Sequence, residues 1–251
     1  GGNGRVTIIH HADVRRMLML MKSGIEAMRA LCYVTAASLD LGHHAADAAA
    51  QTRHHDRFAL LTPVVKGWCS ELAQEITYLG VQVHGGMGFI EETGAAQHYR
   101  DARILTIYEG TTGIQANDLI GRKLLRDNGK AMAELVKDMR AVTAAAGKST
   151  AADIQIIGIQ LGAGITALEQ AVEWLLAHGE QNAAVPGSAA VNMVMLVGTV
   201  SGGWQLARAA LIARSRLDAG TQDSDYLNGK IKTARFYAEH FLPRAQSYSQ
   251  A

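Results

Sequence analysis

Residues 82–115 read QVHGGMGFIEETGAAQHYRDARILTIYEGTTGIQ. Gly85, Gly86 and Gly88 stand where a helical pattern stops, and they permit tight turns and close approach of the backbone to a ligand. Arg100, Asp101 and Arg103 then supply charge, with Arg100 and Asp101 reading as a structural ion pair. An apolar run, residues 104–108, ends in Glu109, and Gly110 and two threonines able to cap a helix follow. A carboxylate between an apolar run and a glycine turn has two readings. Buried, it is desolvated and its pKa rises, as a base needs in order to take a carbon-bound proton near neutral pH. Exposed, it is an ordinary acid beside a helix N-terminus, where negative charge is favoured. The glycine run likewise reads either as a turn between helices or as a surface laid against a ligand.

Outward from this stretch the pattern is helical on both sides. Upstream, Asp13 is a candidate N-cap, and Val14, Met17, Leu18, Met21, Ile25, Met28 and Cys32 recur at three- and four-residue steps, one face of a helix running to about Ala49. A polar stretch at 51–57 interrupts it. Thr62 and Pro63 read as a new helix start, with Val65, Trp68, Leu72 and Ile76 as its buried stripe, ending near His84. Downstream, a short helix is expected at 95–101, and Thr111 or Thr112 caps another that reaches about Arg126. Asp127, Asn128 and Gly129 form a turn. Further helices are expected at 130–146, 151–178, 188–218 and 225–248. Gly158 and Gly162, and again Gly198 and Gly202, stand four apart, a spacing that lets helix backbones approach. Trp68, Trp174 and Trp204 read as core anchors. With no alternating strand pattern of useful length, the fold class is all-α, in two units, 1–126 and 127–251.

Composition agrees and narrows the function. Of 251 residues 48% are hydrophobic and only 3 are proline, which suits long helices around a sizeable core. A net charge of +1, from 24 basic and 23 acidic residues, makes no field that would gather nucleic acid or an anionic membrane. The most apolar run, residues 189–200, is shorter than a membrane span. Cys32 and Cys69 are expected as reduced core thiols, which suits a cytoplasmic protein. The paired histidines match no metal-ligand spacing, and no metal is expected. The glycine-rich opening, residues 1–4, reads as a linker remnant, so the chain is expected to be a fragment of a longer protein.

Three pieces in order, His84-Gly85-Gly86-Met87-Gly88-Phe89, Arg100-Asp101-Ala102 and Ile107-Tyr108-Glu109-Gly110-Thr111, resemble the C-terminal signature of acyl-CoA dehydrogenases. The opening residues 8–18 and the later half are similar to a longer subclass with an extra helical domain, which includes dehydrogenases of fatty acyl-CoA and 3-methylmercaptopropionyl-CoA. The resemblance implies a C-terminal helical bundle followed by a second helical unit. It implies an FAD-dependent α,β-dehydrogenation of an acyl-CoA thioester, with Glu109 as the base that removes the α-proton while hydride passes to flavin N5. It places Gly110 and Arg122 near the substrate, and Gln82, His84, Gly85, Gly86, Thr111 and Thr112 near the flavin. Gly113 departs from the pattern, since many members carry glutamine there. It also implies a homodimer or homotetramer, and an electron-transferring flavoprotein as acceptor. Without the domains that precede this part in the family, the chain itself is expected to hold no FAD. The competing reading is a non-catalytic helical module that only assembles with partners.

Overall fold

The computed structural model describes residues 4–179, 181–182 and 184–251. Among these no strand occurs, and ten α-helices follow one another: α1 (Ala12–His44), α2 (Ala48–Val83), α3 (Gly86–Phe89), α4 (Ala95–Ala102), α5 (Thr112–Asn117), α6 (Lys130–Gly147), α7 (Ala152–His178), α8 (Ala184–Asp218), α9 (Ser224–His240) and α10 (Arg244–Gln250). The all-α class expected from the sequence is the one observed.

Helices α1 and α2 form an antiparallel hairpin. The Asp47 carboxylate caps α2 by accepting from the Ala50 N–H at 2.7 Å, and alanines 48–50 propagate the helix. That strong start overrides the expected one at Thr62–Pro63. Pro63 lies inside α2, buried, and the stretch at 51–57 is helical throughout. The proline removes one ladder bond, and next to the gap the Thr62 hydroxyl donates to the Phe58 carbonyl at 2.7 Å. At the start of α1 the N-cap is His11, with no side-chain capping bond. Asp13 lies within the first turn instead, bonded to Arg16 at 2.8 Å, where its charge still suits the helix N-terminus.

The buried face of α1 is rotated from the expected one. It runs through Met17, Leu20, Gly24, Ala27 and Leu31 and takes in Ser23, Thr35 and Ser38, while Ile25 is exposed. The hydroxyls tolerate burial because each bonds back to its own helix: Ser23 to Met19 O at 2.7 Å, Thr35 to Leu31 O at 2.8 Å, Ser38 to Val34 O at 2.9 Å. Burying small polar residues lets the two helices pack closely.

The centre of the molecule is α8. Its residues from Met193 to Ala213 are largely buried, and it packs against α1, α2, α5, α7 and α9. By length and composition it is apolar enough to cross a membrane; here that apolar surface lines the bundle core. Gly198 and Gly202 seat the Trp68 indole: a Cβ at Gly198 would fall 2.1 Å from Trp68 Cγ, and one at Gly202 would fall 2.8 Å from Trp68 Cη2. Of the other glycine pair, Gly158 packs on Ala146 but Gly162 has no neighbour where a side chain would stand, so only one member serves close packing. Trp174 is 50% exposed and stacks on His178 rather than anchoring the core.

The single helix expected over 225–248 is broken between α9 and α10. Pro243 lacks an N–H and disfavours helical geometry just before it. The break lets Arg244 fork onto Glu75 of α2 at 2.6 and 2.8 Å. One hydrophobic core, from Met17 to Ala245, is shared by both halves of the chain.

Candidate active site

At the end of α2 the His84 Nδ1 lies 2.7 Å from the Gly80 carbonyl. Gly85 turns the chain with φ 62° into the single turn of α3. Gly88 is buried against α2, and a Cβ there would fall 2.3 Å from the Val81 carbonyl oxygen. The backbone at Gly85 and Gly86 instead faces open space. Arg100, on α4, forks onto Glu91 at 2.9 and 3.3 Å. The expected Arg100–Asp101 pair does not form, because side chains one residue apart on a helix point in different directions.

Beyond α4 the chain runs through a 3-10 segment, Arg103–Thr106, to the loop that carries Glu109. Three α2 side chains hold this segment. Gln74 Nε2 donates to Ala102 O at 2.7 Å, Lys66 Nζ donates to Leu105 O at 2.9 Å, and Glu71 accepts from Thr112 Oγ1 at 2.6 Å. Lys66 Nζ also lies 5.8 Å from the centre of the Tyr108 ring, a cation–π distance. The loop is therefore tied on both sides of Glu109.

Two consecutive residues, Glu109 (φ 51°) and Gly110 (φ 89°), adopt left-handed backbone. For the glutamate that conformation costs about 1–2 kcal/mol, which the tethers must offset. Gln115 Nε2 donates to the Glu109 carbonyl at 3.3 Å. A Cβ on Gly110 would fall 2.8 Å from that nitrogen, so position 110 needs glycine for space as well as for φ. Thr111 caps α5, its hydroxyl accepting from Ile114 N at 3.3 Å. A π-helical stretch, Asp118–Leu125, continues α5; such segments are frequent beside functional sites.

Thr106 and Thr112 are buried on either side of the loop, while Ile107, Tyr108 and Glu109 are exposed. The left-handed turn lifts Glu109 off α2, so the chain's own atoms do not bury its side chain. The same region exposes Met87, Phe89, Ile104, Ile107, Tyr108 and Ile114, with Phe89 82% exposed. Large apolar side chains exposed at several points along residues 87–114 suit being covered.

The residues singled out in the sequence fall into three places. Glu109, Gly110, Thr111 and Thr112 are contiguous at the loop and the start of α5. Gln82, His84, Gly85 and Gly86 lie at the end of α2, and the eight-residue helical path from Gln74, the last tether, to Gln82 is about 12 Å long. Arg122 lies about 15 Å along the helix from Thr112. It pairs with Asp118 at 3.3 Å and lines a cleft of about 290 Å³ with His55, Asp56 and Arg126. No group of three or more potential metal ligands occurs among the described residues. Sequence reasoning missed Lys66, Glu71 and Gln74. They are three among many polar residues of α2, which read as solvent-facing until the loop is seen to lie on them.

Two family models match the chain: "Acyl-CoA dehydrogenase, C-terminal domain" over residues 3–125 and "Acetyl-CoA dehydrogenase C-terminal like" over residues 132–251. The 3-methylmercaptopropionyl-CoA dehydrogenase of Ruegeria pomeroyi is 46% identical over 239 residues, covering 94% of this chain and 40% of that protein. The broad-specificity linear acyl-CoA dehydrogenase of Mycobacterium tuberculosis is 35% identical over 249 residues, covering 95% of this chain and 40% of that protein. The chain thus spans about 40% of the length of the curated relatives it matches. Among solved structures, an acyl-CoA dehydrogenase from Bacillus anthracis complexed with FAD shares the fold with a TM-score of 0.74 at 17% identity, covering 100% of this chain and 43% of that one.

Proposed function

The chain belongs to the acyl-CoA dehydrogenase family, as the C-terminal part of such an enzyme, and on that premise we propose that in the complete enzyme Glu109 is the base of an acyl-CoA α,β-dehydrogenation yielding a trans-2-enoyl-CoA. The observation that carries this reading is the strained, tethered turn at Glu109–Gly110, set in an exposed apolar face. Surface from outside this chain that covers the face would exclude water from the carboxylate. Desolvation then raises its pKa toward the range a base needs.

In that setting the Glu109 carboxylate takes the proton from the carbon next to the thioester carbonyl. The Glu109 backbone N–H donates to the carbonyl oxygen and stabilises the charge that develops there. Gly110 lies against the substrate. FAD, when bound, supplies the acceptor for the hydride leaving the neighbouring carbon. The residues present fit such a group: Gly85 and Gly86 offer open backbone, Gln82 and His84 are exposed beside them, and the Thr111 hydroxyl is exposed at the α5 cap. The Thr112 hydroxyl donates to Glu71 and keeps a lone pair to accept a further bond. Arg122, about 15 Å along the helix from Thr112, contacts the substrate away from the reacting carbons.

The reading extends to organisation and partners. The units are 1–126 and 127–251, the protein is cytoplasmic, and the apolar face supports assembly as a homodimer or homotetramer. An electron-transferring flavoprotein accepts the electrons. The test is a panel of saturated acyl-CoA thioesters offered to the complete enzyme with an artificial electron acceptor. Enoyl-CoA formation is expected with at least one, and no turnover with any refutes the reading. The 251-residue chain by itself should be colourless and inactive, and a flavin absorbance band in the purified chain would overturn that part.

A further inference from the structure

The only two cysteines of the sequence, Cys32 and Cys69, stand on facing helices of the α1–α2 hairpin. The hairpin register brings them together. Gly24 of α1 packs between Leu72 and Ile76 of α2: a Cβ there would lie 3.5 and 3.2 Å from their side chains. A heptad further along α1 is Leu31, and a heptad back along α2 are Val65 and Cys69. Cys32, next to the fully buried Leu31, therefore lies at the edge of the α1–α2 seam, level with Cys69. The helices approach closely along this seam, since a Cβ at Gly42 would lie 3.3 Å from the His55 backbone nitrogen. In keeping with this register, the two thiols are close enough for each to shift the other's pKa. Neither is sealed from solvent, both being only partly buried.

We propose that Cys32 and Cys69 form an oxidisable dithiol that closes to an intrachain disulfide, stapling α1 to α2, when it meets a small-molecule disulfide such as oxidised glutathione. The Cys32 thiolate attacks one sulfur of oxidised glutathione and expels glutathione thiolate, leaving a mixed disulfide. Cys69, giving up its proton to solvent, attacks the Cys32 sulfur and expels the second glutathione. Two protein thiols are oxidised, one glutathione disulfide is reduced, and no further co-reactant is needed. Cys32 is suited to be the attacking group. The neighbouring Cys69 draws it down to about 7, while Cys32 and burial push Cys69 up. The lowered pKa leaves more of Cys32 as thiolate near neutral pH than an ordinary thiol with pKa about 8.5 would carry.

The test uses the reduced 251-residue chain incubated with oxidised glutathione, quenched in acid, alkylated, and analysed by intact mass and peptide mapping. The expected result is joint loss of both free thiols, a mass lower by two hydrogens, a cross-linked peptide pair holding residues 32 and 69, and full reversal by a dithiol reductant. A glutathione adduct that persists on Cys32 of the unmutated chain overturns the proposal. So does a disulfide between chains, or two thiols that stay free. In Cys69→Ala, checked for native helicity, Cys32 should stop at a stable glutathione adduct, and its alkylation by iodoacetamide at pH 7 should slow about tenfold. Cys32 alkylation as fast in that variant as in the unmutated chain would also count against the pairing. If Cys69→Ala fails to fold, the oxidation of the unmutated chain decides alone.

Discussion

Substituting Gly198 by alanine tests how the bundle is built, because two glycine positions that look alike in sequence carry opposite expectations. At Gly198 the added methyl would fall 2.1 Å from Trp68 Cγ, 2.5 Å from its Cβ and 2.6 Å from its Cδ1. These atoms lie at the root of a rigid indole that is itself buried between α2 and α8. No far end of a flexible chain can swing away, so the helices must part. Such overpacking costs about 1–3 kcal/mol or more, and the gain in helix propensity from glycine to alanine is about 1 kcal/mol. With the upper part of that range applying, Gly198→Ala should lose about 2 kcal/mol. Gly162→Ala, mid-helix in α7 with nothing near the added methyl, should keep the propensity gain of about 0.5–1 kcal/mol. Urea unfolding of both variants followed by far-UV circular dichroism reads the difference, as a lower midpoint for the first and a higher one for the second. If Gly198→Ala is as stable as the unmutated chain, Trp68 does not seat against α8 as described and the packing argument fails.

Two other outcomes follow from the polar contacts. Glu71→Ala strands the buried Thr112 hydroxyl and should cost about 1–3 kcal/mol. Thr112→Val in the same chain should recover part of that loss, and strictly additive effects in thermal melts would argue against the pair. Glu26 of α1 is pushed up by burial, but hydrogen bonds and charge from Lys22 and Lys230 outweigh this and hold its pKa below the ordinary value. A carboxylate lowered in the folded state contributes stability above its unfolded pKa of about 4.3, and that contribution is lost as the pH falls through the folded value. Lys230→Met, which removes the 2.9 Å bond from α9, should therefore move the acid-unfolding midpoint to higher pH. An unchanged midpoint would mean the pair is not linked to folding.

Three local signals stand in the structure as the sequence reads them. The Asp-Asn-Gly turn before α6, the Thr111 cap of α5 and the glycine stop after α2 depend on residues within a few positions of each other, and all three stand where expected. The misreadings arise where a distant or stronger interaction decides. Pro63 reads as a helix start, but the Asp47 cap begins α2 earlier and the bundle holds the proline inside it. Ser23, Thr35 and Ser38 lie outside the apolar stripe read on α1, yet they are buried, their hydroxyls satisfied by their own helix. At the candidate site the motif points to Glu109, whereas the grip of Lys66, Glu71 and Gln74 on its loop is a tertiary fact with no local pattern. The π-helical continuation of α5 is equally invisible to a reading based on a 3.6-residue period. The exposure of Glu109 could not be read from an apolar run either, because the run faces outward on this chain.

The central claim concerns the Glu109 carboxylate, and rapid mixing of the complete enzyme with a saturated acyl-CoA under anaerobic conditions reads it most directly. Glu109→Gln keeps the shape and removes the base. The rate at which the flavin absorbance bleaches should fall by about 10²–10⁴-fold, with acyl-CoA still binding. Bleaching at the unmutated rate would contradict the assignment.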